Sequence, residues 1–147
     1  PAITEAQLAT LAEQMYNDSL GRIDFKVANE YMNAAAILAA TAKDNEKAAE
    51  FLAKAGETAR SIRNFPQALS YYQTISDKYP NSAKAAQALF LRAFTLDNDL
   101  KRPAEARPLY EAFLQKYPND DFADDTKFLL ENLGKSDDEI IESFNNK

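Results

Sequence analysis

The sequence predicts an all-α fold of about eight helices, and three observations carry that prediction. Apolar residues recur at helical spacing along almost the whole chain, and no strand-like alternation lasts more than a few residues. Glycine is scarce, with 3 in 147 residues, and proline numbers 6, which argues against a turn-rich all-β fold. One short phrase is also written twice. "YYQTISDKYPNS" (71–82) and "YEAFLQKYPND" (110–120) share the pattern aromatic–x–x–apolar–x–x–x–Tyr–Pro–Asn, with Tyr110 standing where Tyr72 stands in the first copy. Self-similarity at a fixed period of this length is the mark of a stacked repeat.

Taken in order, the helices are expected at 4–19, 25–41, 45–62, 66–79, 82–97, 103–116, 121–133 and 137–145. The first presents Ile3, Leu8, Leu11, Ala12 and Met15 on one stripe, and the second Phe25, Ala28, Met32, Ala35 and Leu38. Thr4 with Gln7, and Ser136 with Glu139, have the spacing of a capping box, in which each side chain takes a backbone N–H left free at the helix start. Asn64 precedes a helix with Pro66 in its first turn, and Pro103 opens another, because a missing N–H costs nothing there. Pro80 and Pro118 each close a helix, since the residue before a proline is pushed out of the α region. Gly134 reads as a helix stop. No linker or low-complexity tract divides the chain, so 1–147 reads as a single domain.

Composition removes whole classes of function. With 46% hydrophobic and 27% charged residues the chain can build a core and is not a disordered tail. A net charge of −6 argues against a nucleic-acid partner, which needs clustered Lys and Arg. The absence of Cys and His excludes disulfides, thiol nucleophiles, Cys/His zinc sites and the commonest general base. No apolar run approaches the roughly 20 residues of a membrane span. The first residue is Pro rather than Met, which leaves room for a removed export signal or lipid-anchor segment.

The repeat itself is clearest in "LAKAGETARSIRNFPQALSYYQTISDKYP". Gly56, Phe65, Ala68, Tyr72, Ile75 and Pro80 supply small, aromatic and proline positions without a gap. Small residues on facing helices let them approach closely, and the aromatics fill the space beside them. The next unit offers Ala106, Tyr110, Phe113 and Pro118 on its second helix, and Ala93 on its first if one extra residue sits in "DNDLKR". A gapless alignment would place Phe94 there, and its bulk would force the helices apart. These residues resemble the tetratricopeptide repeat, a helix–turn–helix unit of about 34 residues. The resemblance implies a right-handed superhelix of antiparallel hairpins with repeats at 45–80 and 82–118. A degenerate hairpin at 1–42 would precede them, Phe25 and Ala28 mimicking Phe65 and Ala68, and a half-repeat with a capping helix at 121–147 would close the stack. The Tyr-Pro-Asn endings and the closing "LGKSDDE" also resemble repeats of bacterial cell-envelope proteins, namely Tol–Pal accessory proteins and outer-membrane lipoproteins. That likeness implies a periplasmic or outer-membrane-associated adaptor, often lipid-anchored, with a cytoplasmic location as the alternative.

Candidate chemistry is sparse. Asp120, Asp121, Asp124 and Asp125, and separately Asp97 and Asp99, are read as helix-capping acids in preference to a calcium site, which needs several oxygens converging at about 2.3–2.6 Å. No catalytic, cofactor or metal site is expected, and the chain is not expected to be an enzyme. In the family the first helix of each hairpin lines a concave groove, and the resemblance implies that Phe90, Phe94 and Phe128 line it here. Phe90 and Phe128 recur at the same offset as Tyr72 and Tyr110. They are candidate apolar contacts for a protein or peptide partner, against the alternative that both rings are core. Glu57 and Arg60 are the candidate polar contacts. The competing function is a self-association module that forms a homodimer.

Overall fold

The computed structural model describes residues 2–16, 19 and 21–146, and 75% of these are helical with no strand among them. Among the described residues there are eight α-helices. They are α1 (Glu5–Met15), α2 (Phe25–Thr41), α3 (Asn45–Ser61), α4 (Phe65–Lys78), α5 (Ala85–Phe94), α6 (Pro103–Lys116), α7 (Ala123–Glu131) and α8 (Asp137–Asn145). The fold is all-α, as the periodicity predicts, and agrees with a helical-repeat architecture. The chain divides into two compact units, Pro1–Ala88 and Leu89–Lys147.

In the first unit each of α1 to α4 packs on its neighbour in sequence, and α2, α3 and α4 are joined by three-residue connections, which makes them antiparallel neighbours. Local chemistry sets the ends. Thr4 and Gln7 form the full capping box, with bonds of 3.2 and 2.8 Å. Asp24, Asp44 and Asn64 each accept a backbone N–H at the start of α2, α3 and α4. The first helix stops at Met15, short of the expected end at 19, and the Met15 carbonyl accepts the Asp24 N–H at 2.9 Å; residues 17 and 18 lie outside the described residues. On α2, Ala28, Met32 and Ala35 are buried as expected, whereas Phe25 is exposed. The likeness of Phe25 to Phe65, which is buried, therefore ends at the sequence: Phe25 begins α2 with its ring in solvent.

The hairpin of α3 and α4 is held by one close approach. Gly56 is buried on α3, and a Cβ built there would lie 2.5 Å from Cε1 and 2.8 Å from Cζ of Tyr72. The small residue is thus required by the tyrosine ring of the facing helix. Ala68 and Ile75 are completely buried alongside. At the far end the Tyr79 N–H caps α4 on the Ile75 carbonyl, and the Glu46 carboxylate of α3 accepts the Ala83 N–H at 3.1 and 3.2 Å. This turn occupies 82–84, so α5 begins at Ala85 rather than at 82.

The repeat seen in the sequence is a repeat of backbone geometry. Tyr79 has φ −129° and ψ 52°, and Tyr117 has φ −130° and ψ 55°. Each donates its N–H to the carbonyl four residues back, and each accepts from the residue three ahead. The paired first-helix ends also match: Arg63 and Lys101, again at the repeat offset, both adopt left-handed φ, at 61° and 55°. The following N–H closes each stop, but differently. Asn64 donates to Ala59, five residues back, and Arg102 donates to Leu96, six back. The extra residue lies in a π-helical turn, Thr95–Asp99, that continues α5, with the Leu100 N–H bonded to the Thr95 carbonyl at 3.0 Å. The insertion expected in "DNDLKR" is therefore absorbed mostly inside the helix. It brings Ala93, which is fully buried, into the small position, while Phe94 is half-buried.

Replacing Gly56 with Ala tests this packing. Ala improves helix propensity by about 1 kcal/mol, but the Tyr72 ring in its way is 1% exposed, and overpacking of this kind costs roughly 1–3 kcal/mol. We expect a lower melting temperature for Gly56→Ala and a larger drop for Gly56→Leu. Tyr72→Leu should lessen the added cost of Gly56→Ala in a double-mutant cycle; strict additivity would show that the two residues do not meet.

Candidate partner-binding surface

Of the five residues expected to contact a partner, the second unit holds three and the first unit two. Phe90 is 7% exposed. Its ring stacks on Phe122 at 4.7 Å and on Phe94 at 5.9 Å, and meets the edge of Phe113 at 6.0 Å. Phe90 is thus a core residue, which corrects the expectation that it lines an open groove. The cause is Phe122, placed at the start of α7 where Asp120 accepts its backbone N–H at 3.0 Å. Sequence reasoning does not find Phe122 because nothing recurs there: the matching position of the preceding unit is Lys84. Phe94 leans on the same cluster and remains half-buried.

Phe128 differs. It is 40% exposed, on α7, and stacks nearly parallel (8°) on Phe144 of α8 at 5.9 Å. Beside it opens a cleft of about 420 Å³, whose walls include Asp97, Lys101, Phe128, Leu129, Asn132 and Ile140. The π-helical turn supplies one wall, and the ends of α7 and α8 supply the other. Asp97 is fixed there by Tyr110, whose hydroxyl donates to its Oδ2 at 2.9 Å. Burial, and then the Asp97 carboxylate, push the Tyr110 pKa far above its ordinary value.

On α3 of the first unit, Glu57 is exposed and Arg60 half-buried, one turn apart. The Tyr31 hydroxyl of α2 is held protonated beyond its usual range, by burial first and then by the nearby charge of Glu57. The acids around α7 do what capping requires, whereas Asp97 accepts the Tyr110 hydroxyl and Asp99 the Asn98 side-chain amide instead of capping a helix. Asp120 holds the turn before α7, and Asp124 and Asp125 stand in its first turn. Among the described residues no group of three carboxylates is placed to hold a metal. Ser136 accepts the Glu139 N–H at 3.2 Å, making the first half of its expected capping box. α8 forms where a closing helix is expected, but it buries none of its residues.

A family model described as a tetratricopeptide repeat matches residues 87–120. That stretch contains Ala93, Ala106, Tyr110, Phe113 and Pro118, and all but the proline are fully buried. No curated protein and no solved structure matches the chain. The family match supports a tetratricopeptide-repeat protein, and with it a general role as a protein–protein interaction scaffold. The matched stretch supplies Asp97, Asn98, Lys101 and Pro103 to the walls of the cleft beside Phe128.

Two measurements check these placements. Phe90→Ser should lose several kcal/mol of stability, as removal of a buried Phe typically costs about 3–5 kcal/mol, whereas Phe128→Ser should leave the thermal melt nearly unchanged. Tyr110→Phe should cost about 1–2 kcal/mol at neutral pH by removing the bond to Asp97. Because the folded-state pKa of Tyr110 is raised, its contribution is fully present below the unfolded value of about 10 and is lost as pH rises above it. The wild-type protein should therefore weaken more steeply than Tyr110→Phe above about pH 10 in a pH-dependent melt.

Proposed function

We propose that this chain is a non-enzymatic adaptor of the bacterial cell envelope that holds a segment of a protein partner against the cleft of its second unit. The observation that carries the reading is Phe128, a large aromatic left 40% exposed at the edge of that cleft. Exposed aromatics in a concave setting are the usual anchors of protein recognition. Phe94 borders the reading as a half-buried neighbour, and Phe90 supports it only from within the core. Glu57 and Arg60 stand as polar contacts on the first unit. The non-enzymatic reading is supported by the repeat family. The envelope placement, periplasmic or outer-membrane-associated, is supported by the likeness of the Tyr-Pro-Asn endings to envelope repeats.

The test is cross-linking and capture from envelope extract with wild-type protein and with Phe128→Ser. A partner retained by the first and lost by the second is the expected result; capture unaffected by the substitution removes Phe128 from the site. Light scattering on the same samples separates the competing outcome, since a tight dimer dispersed by Phe128→Ser would make a second copy the partner. Fractionation of the full-length protein to the cytosol would overturn the envelope placement.

A further inference from the structure

Resting on the scaffold reading above, we propose that the occupant of the Phe128 cleft is a basic amphipathic helix of a partner protein. Phe128, Ile141 and Phe144 are 40%, 57% and 56% exposed, and two of them form one stacked aromatic face. The adjoining cleft of about 420 Å³ adds Leu129 and Ile140, and a volume of this order accommodates apolar side chains of a ligand.

Charge selects the partner. The second unit carries thirteen acids against eight bases, a net of −5, out of −6 for the whole chain. Within it, α7 and α8 hold seven carboxylates and a single base, Lys127. Those carboxylates surround the apolar residues. Asp124, Asp125 and Glu131 lie four before, three before and three after Phe128, and Asp137 and Asp138 lie four and three before Ile141, so helical geometry sets them beside those side chains. Lys101 and Lys135 line the cleft with Asp97 and Asp137 and balance them locally; the unbalanced charge is on the rim. An apolar floor with an acidic rim is complementary to a helix with one apolar face and flanking Lys or Arg. An acidic segment of the same shape would face like charge on both helices.

The test uses three labelled synthetic peptides of about five helical turns: an amphipathic Lys/Leu peptide, the same apolar pattern with Glu for Lys, and a scrambled Lys/Leu peptide. Fluorescence anisotropy should show binding of the first only, weakening as salt is raised. Phe128→Ser should reduce that affinity about thirtyfold, as for a desolvated aromatic anchor. Glu131→Gln with Asp138→Asn should reduce it about twofold to fivefold and flatten the salt dependence. Phe25→Ser, in the first unit, should change nothing. Ile141→Ser provides a second probe of the apolar face should Phe128→Ser melt early. Equal binding of the basic and acidic peptides overturns the charge selection while leaving an apolar docking cleft. Equal binding of the scrambled peptide reduces the effect to general attraction and overturns the inference. If no peptide binds, the inference falls; the scaffold reading then stands or falls separately on Phe128-dependent capture from extract.

Discussion

The α3–α4 hairpin depends on a ring of Tyr72 placed where any side chain on Gly56 would stand. That approach fixes how near the two helices come, and with Ala68 and Ile75 fully buried beside it, it leaves no slack for a larger residue. The second unit meets the same constraint with different means. Its aromatic, Tyr110, is completely buried, and so is Ala93, the small residue of its first helix. Ala93 reaches that position only because a residue is taken up in the π-helical turn that follows. Spacing along the chain has been given up there to keep spacing in the core.

That turn also shapes the surface. It aims Asp97 at the Tyr110 hydroxyl and forms a wall of the cleft beside Phe128. A residue inserted to satisfy packing therefore also shapes the cleft, and π-turns occur frequently at functional positions. The other side of the cleft belongs to α8, whose apolar residues remain largely in solvent. Within the second unit the exposed large apolar residues, Phe128, Ile141 and Phe144, all lie on α7 and α8.

What the sequence discloses follows from how local the determining physics is. Helix starts were legible because Thr4, Asn64 and Ser136 act on backbone groups within three residues of themselves. The Tyr-Pro-Asn turns were legible because proline acts on its immediate neighbour, and the two copies agree within a few degrees. The choice of Ala93 over Phe94 was legible because bulk at a helix contact is decisive. Burial was harder. Phe90 and Phe128 occupy equivalent repeat positions, yet Phe122 covers the first, and no copy of Phe122 exists to be recognised. Phe25 copies the offset of Phe65, yet nothing brings comparable cover to it. Exposure is decided by residues distant in the chain, and periodicity is silent about them.

The two left-handed helix stops have a use beyond ending helices. A non-glycine residue in that conformation carries strain of about 1 kcal/mol or more, so Arg63 and Lys101 mark places where natural sequence has left stability unclaimed. They are not equivalent. The Arg63 guanidinium lies 5.1 Å from the centre of the Phe65 ring, an attraction that offsets part of its strain, whereas the residue in the Phe65 position of the second hairpin is Pro103. One backbone conformation thus occurs in two copies, with and without an aromatic platform. Engineered glycines at the pair would turn the molecule into its own calibration of what a cation resting on a ring is worth.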